Sequence, residues 1–198
     1  WLSDEIKDIR AQYPGKKIIF SMGRLVSYKG YEYLISAMTH LPEEYVLLIG
    51  SDGPLKEQLQ QQIEELGLKE RVTLLGGLKE EKKQAYFGAC DVFCLSSVMK
   101  TEAYAIVLVE AMSLGRPVIA TKIPESGVSW VNAHEVSGLN VPVRDPEALA
   151  EAIHKICGNP ELWKRYSQGA RQRYDDTFTK DEMINNLIEA YTQLLNNN

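Results

Sequence analysis

The chain has 198 residues, of which 44% are hydrophobic and 25% charged, the make-up of a soluble globular domain with one sizeable core. Its formal net charge of −5 speaks against long-range steering of nucleic acid, and no apolar run is long enough to cross a bilayer. Three cysteines, Cys90, Cys94 and Cys157, form no CxxC pair, and His40, His134 and His154 share no metal-ligand spacing, so neither a disulfide framework nor a zinc site is expected.

The first residues lack the basic start and apolar stretch of a signal peptide. A chain that begins without Met, inside a helical pattern, is expected to be a piece of a longer protein; residues 1–15 read as an inter-domain linker or helix. Short apolar runs follow at 17–21, 45–49, 72–75, 92–95 and 117–120, with a weaker one at 139–141, the pattern of strands covered on both faces. Helical stretches at 30–38, 54–66, 104–114 and 146–156 lie between or after them, the last with Asp145 as a plausible N-cap. The mixed-sign run 79–83 reads as a solvated helix start.

Three further helical pieces are expected up to the C-terminus, with Trp163 and Tyr166 in the core. The last piece, from about 179 to 195 within a crossover-type segment 178–198, carries an apolar face of Met183, Leu187, Ile188, Tyr191 and Leu195. Residues 196–198 are expected to fray. Strand and helix in alternation predict a single α/β domain over 1–198, a Rossmann-like three-layer fold with a parallel sheet and helices on both faces. Ligands of such folds bind beyond the carboxyl ends of the strands, so the loops after the strands are the ones to read.

After the first strand comes Met22-Gly23-Arg24-Leu25-Val26-Ser27-Tyr28-Lys29-Gly30. Gly23 lets the backbone approach a ligand, and Arg24 and Lys29 place two cations just before a helix N-terminus, which suits a diphosphate. A solvated basic loop is the alternative. After the fourth strand, Glu102 lies in the loop and Glu110 inside the following helix, whose apolar face is expected to hold Ile106, Val109 and Met112. A carboxylate in an apolar helix needs a partner, and ribose hydroxyls can supply one. A buried ion pair for Glu110 and a helix-start charge for Glu102 stay open. Backbone N–H groups near Tyr104, Ala105 and Ile106 form a second anion site facing the same crevice. Trp130 reads as a loop anchor.

At these residues the sequence resembles the GT-B glycosyltransferases of family 4, or group 1. The motifs are Gly23-Arg24-Leu25 with Lys29-Gly30, Gly50-Ser51-Asp52-Gly53-Pro54-Leu55, Val72-Thr73-Leu74-Leu75-Gly76, Asp91-Val92-Phe93, the Glu102 to Glu110 pair with Ala111-Met112, and Gly115-Arg116-Pro117-Val118-Ile119-Ala120. Ser137-Gly138-Leu139 and Asp145-Pro146-Glu147-Ala148-Leu149 complete the order, which spans nearly the whole chain. The resemblance implies one half of a GT-B fold: the donor-binding domain of a retaining, metal-independent hexosyltransferase with no cofactor.

Arg24, Lys29 and Glu102 would then be catalytic, the first two on the donor diphosphate and the third facing the sugar. Glu110 would hold the ribose, Gly77 and Leu78 would meet the base, and backbone at Gly23 and Tyr104 to Ile106 would line the donor. The sequence has no Asp-x-Asp, in keeping with a metal-free site. The expected partners are a nucleotide-sugar, an N-terminal acceptor half, and a glycan or lipid-linked acceptor, in a cytoplasmic enzyme of bacterial surface-polysaccharide synthesis that could reach a membrane through its other half. The fragment alone is expected to be inactive. Tyr104-Ala105 departs from the family's Phe-Gly, and Pro124-Glu125-Ser126-Gly127-Val128-Ser129-Trp130 replaces a Gly-rich turn. A GT-B-like sugar-nucleotide epimerase and a non-catalytic nucleotide-sugar-binding domain are the competing readings.

Overall fold

The computed structural model describes residues 2–196. Six strands lie among them: β1 (Lys17–Met22), β2 (Tyr45–Gly50), β3 (Val72–Gly76), β4 (Val92–Leu95), β5 (Val118–Thr121) and β6 (Gly138–Val141). All pair in parallel, in the order β3-β2-β1-β4-β5-β6. The helices are α1 (Leu2–Gln12), α2 (Tyr31–Ala37), α3 (Lys56–Glu65), α4 (Glu80–Ala89), α5 (Ile106–Ser113), α6 (Val128–Val131), α7 (Pro146–Cys157), α8 (Pro160–Thr177) and α9 (Lys180–Asn196).

Side chains of a strand point alternately to its two faces, and this divides the apolar runs between two cores. Ile19, Leu47, Ile49, Cys94 and Ile119 face α2, α3 and α7. Their neighbours Ile18, Phe20, Val46, Leu48, Phe93, Leu95 and Val118 face α5, α6 and part of α4 and α8. Phe20, Phe87 and Phe93 meet there with ring centroids 5.1 to 5.9 Å apart. The three cysteines are free thiols, and burial pushes the Cys90 thiol up to about 12.

Helix punctuation follows local chemistry. Asp145 caps α7 by accepting from the Ala148 N–H at 2.9 Å, with Pro146 at the first helical position. Asn159 and Pro160 repeat the device for α8. That unbroken 18-residue helix replaces two of the three C-terminal pieces expected, because Gly169 sits within a helix whose interior it does not break. Gly169 lies so close to the Val136 carbonyl that a Cβ would collide with it. Tyr166 is buried and Trp163 is half-buried beside it. The apolar residues Met183, Leu187, Ile188, Tyr191 and Leu195 of α9 are exposed. Of residues 196–198, Asn196 ends α9, while Asn197 and Asn198 lie outside the described residues, as does Trp1.

Candidate functional site in the crevice between β1 and β4

Strand order reverses between β1 and β4, the place where a doubly wound sheet opens a crevice. The loop after β1 begins at Gly23, whose φ of 151° favours glycine. A Cβ there would lie 3.1 Å from Lys29 Cε and 3.2 Å from Lys29 Nζ, so the missing side chain makes room for the ammonium. The Tyr31 hydroxyl donates to the Gly23 carbonyl at 2.7 Å, and burial raises the Tyr31 pKa and keeps it a donor. Leu25 bonds the loop after β2 in both directions, to Asp52 O and from Leu55 N at 3.1 Å each, with Gly53 packed against its backbone. That contact is the structural task of the Gly50-to-Leu55 motif.

Lys29 closes a 3-10 turn, and Gly30 follows in the left-handed region at φ 63°. The loop after β4 is stitched to this turn. Ser96 Oγ donates to Lys29 O at 2.9 Å, and Val98 N donates to Tyr28 O at 2.7 Å. A Cβ on Gly30 would strike the Ser96 carbonyl. Thus positioned, Lys29 Nζ donates to Glu102 Oε2, each side chain only 10% exposed. Ser97 Oγ donates to the same oxygen at 2.7 Å. Behind Glu102, Ser126 Oγ donates to its carbonyl, and Gly127 N donates to Ala103 O at 2.8 Å. The segment that replaces the Gly-rich turn therefore holds the Glu102 loop.

Ala105 caps α5 with φ 55° and ψ 64°. The left-handed backbone explains why glycine suits this position, since a Cβ there is strained. The buried face of α5 is Leu108, Ala111 and Met112. Ile106, expected on it, is 65% exposed, because it opens the helix at the crevice before the helix meets the sheet. Tyr104 is exposed too, its ring centroid 6.2 Å from Trp130 and 6.3 Å from Phe178. Trp130 is 55% exposed yet packs against Phe178 with ring centroids 5.6 Å apart and lies under Arg173, while Val128 and Val131 are fully buried; the segment forms the short helix α6 where a loop is expected.

The predicted cluster is thus brought together in part. Lys29 and Glu102 are in contact; the Arg24 side chain is exposed and makes no hydrogen bond or ion pair among the described residues. Gly77 is exposed after β3, and Leu78 is half-buried, where a Cβ on Gly50 would come within 2.7 Å of its Cδ1. Glu110 has a protein partner: Lys83 Nζ donates to its Oε1 at 2.7 Å. Lys83, expected to be solvated, lies largely buried between α4 and α5. Ser97, Lys83 and Ser126 are site neighbours that the sequence reading missed. Their one signal was position, on loops or helices that follow strands. The histidines lie elsewhere: His134 Nδ1 accepts from Asn140 N at 2.9 Å, His154 pairs with Tyr45, and His40 is exposed.

Among the described residues no three His, Cys, Asp or Glu side chains are placed to hold a metal ion, and no helix is long and apolar enough to cross a membrane. The arrangement offers paired and free cations, glycine-lined backbone and a helix start around one crevice, a set suited to an anionic, hydroxyl-rich ligand.

Comparison with known proteins places these features in a family. The profile of glycosyl transferases group 1 matches residues 3–173. The chain is 33% identical to the O-antigen chain mannosyltransferase C of Escherichia coli, over 91% of this chain and 48% of that protein. It is 32% identical to the lipopolysaccharide core biosynthesis glycosyltransferase LpsD of Rhizobium meliloti, over 88% of this chain and 49% of that protein. The chain therefore spans about half the length of these curated relatives. Among solved structures, Anabaena HepE in complex with UDP superposes with a TM-score of 0.86 at 25% identity, over 96% of this chain and 53% of that one.

Proposed function

This chain belongs to the glycosyl transferases group 1 family, and on that premise we propose that it is the donor-binding domain of a retaining, metal-independent hexosyltransferase. The observation that carries the reading is the Lys29–Glu102 contact at the β1/β4 crevice, with Gly23 against the ammonium and an exposed Arg24 in the same loop. Lys29 and Arg24 would bind the donor diphosphate and neutralise the charge that grows on it as the sugar–phosphate bond breaks. Glu102 would face the sugar, Glu110 the ribose, and backbone at Gly23, Gly77, Leu78 and Tyr104 to Ile106 the rest of the donor. Cations and the start of α5 would do the work that a divalent ion does elsewhere.

The names of the relatives support an acceptor of the surface-polysaccharide or lipopolysaccharide class, and the UDP-glucose complex of Anabaena HepE supports a sugar nucleotide as donor. Acceptor binding would fall to the remainder of a longer cytoplasmic enzyme, so the chain alone is expected to bind donor without transferring sugar.

The test is calorimetry of UDP, GDP and ADP and their sugars against this chain, with and without Mg²⁺. One nucleotide should bind without metal, and Lys29→Ala or Glu110→Ala should each weaken it by more than ~1 kcal/mol, the loss of a charge-assisted bond. Unchanged affinity in both folded variants overturns the assignment.

A further inference from the structure

A second cation–carboxylate contact, part-buried between α4 and α5, is left unexplained by the site assignment. Lys83 lies early in α4, the helix that follows the β3 loop, and Glu110 lies midway along α5. Lys83 Nζ is 2.7 Å from Glu110 Oε1 and 2.8 Å from Glu80 Oε2, with 14% of the Lys83 side chain and 25% of the Glu110 side chain exposed. We propose that Lys83 is a positioning residue for sugar-nucleotide binding: it holds one oxygen of Glu110 so that the other is presented to the ribose hydroxyls. The proposal rests on the reading of Glu110 given above.

Four observations support it. The bond is one-sided: Oε1 is taken by Lys83, while Oε2 accepts no hydrogen bond among the described residues. An ionised carboxylate is acceptor-only, so a free oxygen fixed in place selects hydroxyl donors. Glu110 is flanked by Val107, Leu108, Val109, Ala111 and Met112, none of which can restrain its rotation by hydrogen bonding, so the ammonium supplies the orientation. Burial lowers the Lys83 pKa, but its bonds to Glu110 and Glu80 outweigh that and raise it, so the restraint stays charged. Glu80 in turn holds Lys83 from the solvent side, which ties the orientation of Glu110 to the start of α4, directly after the loop at Gly77 and Leu78.

The experiment compares UDP, GDP and ADP with their 2′,3′-dideoxy forms by calorimetry on the chain. Wild type should prefer its ribonucleotide by about tenfold or more, the effect of a charge-assisted hydrogen bond, and Glu110→Gln should lose that preference. Lys83→Met should reduce the preference to about threefold or less while leaving the dideoxy affinity nearly unchanged, and Lys83→Arg should restore most of it. If Lys83→Met does not fold, Lys83→Gln serves the same comparison. A full ribose preference in a folded Lys83→Met or Lys83→Gln, with Glu110→Gln deficient, overturns the role of Lys83 alone. A wild-type chain that binds none of the three, or that ignores the ribose, overturns the Glu110 reading and this proposal with it.

Discussion

The β1–β4 strand pair carries an ion pair at each end, and the two differ in how fully their hydrogen-bonding groups are used. At the amino end, Arg10 grips Asp91 with two bonds of 2.9 and 2.8 Å, and Asp91 Oδ2 also accepts from the Ile18 N–H at 2.6 Å. Trp163 Nε1 closes over the same residue by donating to Asp91 O at 2.7 Å. Both carboxylate oxygens have donors, and the planar guanidinium holds them in a fixed fork. At the carboxyl end, Lys29 and Ser97 share one oxygen of Glu102, and Oε1 accepts nothing among the described residues. Lys29 has three donor protons, and its contact with Glu102 uses one of them. The first pair is saturated and acts as a clasp; the second keeps capacity for a ligand. The two pairs carry the same charges; they differ in unused hydrogen-bonding capacity, which under the proposed function marks the second as the binding pair.

Substitutions at the two ends test that contrast. The largest expected effect is Gly30→Ala, which puts a Cβ into the Ser96 carbonyl at a left-handed backbone and should cost about 3 kcal/mol in urea denaturation. A wild-type midpoint would mean that the two loops are not locked together. Next comes Asp91→Ala, which strands the Arg10 fork and the Ile18 amide and should cost about 2 kcal/mol. Its folded fraction should still bind nucleotide as wild type does, because the clasp lies at the other end of the strands. An affinity loss as deep as that of Lys29→Ala would erase the distinction.

The sharpest comparison replaces both partners in the crevice. Lys29→Met with Glu102→Leu should cost about 1–2 kcal/mol, from the stranded Ser97 hydroxyl rather than from the ion pair, whose replacement by apolar groups is often close to neutral, while nucleotide binding disappears. Retained binding in calorimetry would remove this pair from the site. The smallest effect is Ala105→Gly. Relief of the left-handed alanine outweighs the added freedom of the unfolded chain by about 0.5 kcal/mol, read as a small rise in melting temperature. A fall would mean that the Ala105 methyl group, buried in the core, contributes more than its backbone strain removes.

Much of this architecture was legible without coordinates. Strands covered on both faces read as continuous apolar runs, so all six were found within a residue or so of their ends. Asp145 followed by Pro146 marked the start of α7 because capping depends on neighbours in the chain. The errors fell where local pattern and tertiary context diverge. Ile106 fits the helical period of α5, yet the helix start stands clear of the sheet. Val128 and Val131 lie in a segment of turn-forming residues, and only the core beneath them makes it the short helix α6. Lys83 belongs to a run of exposed charges and is drawn inward by Glu110.

The candidate site divides in the same way. The sequence by itself determined the alternation of strand and helix, the loops that end at the crevice, and the ordered motifs that mark a group 1 glycosyl transferase. These are properties of residues close together in the chain, where steric preference, period and capping act. Only the tertiary structure decided that Lys29 meets Glu102, 73 positions away, and that Glu110 meets Lys83 rather than standing alone. Partner choice depends on which strands become neighbours in the sheet, and that is set by the simultaneous burial of two cores rather than by any local run of residues.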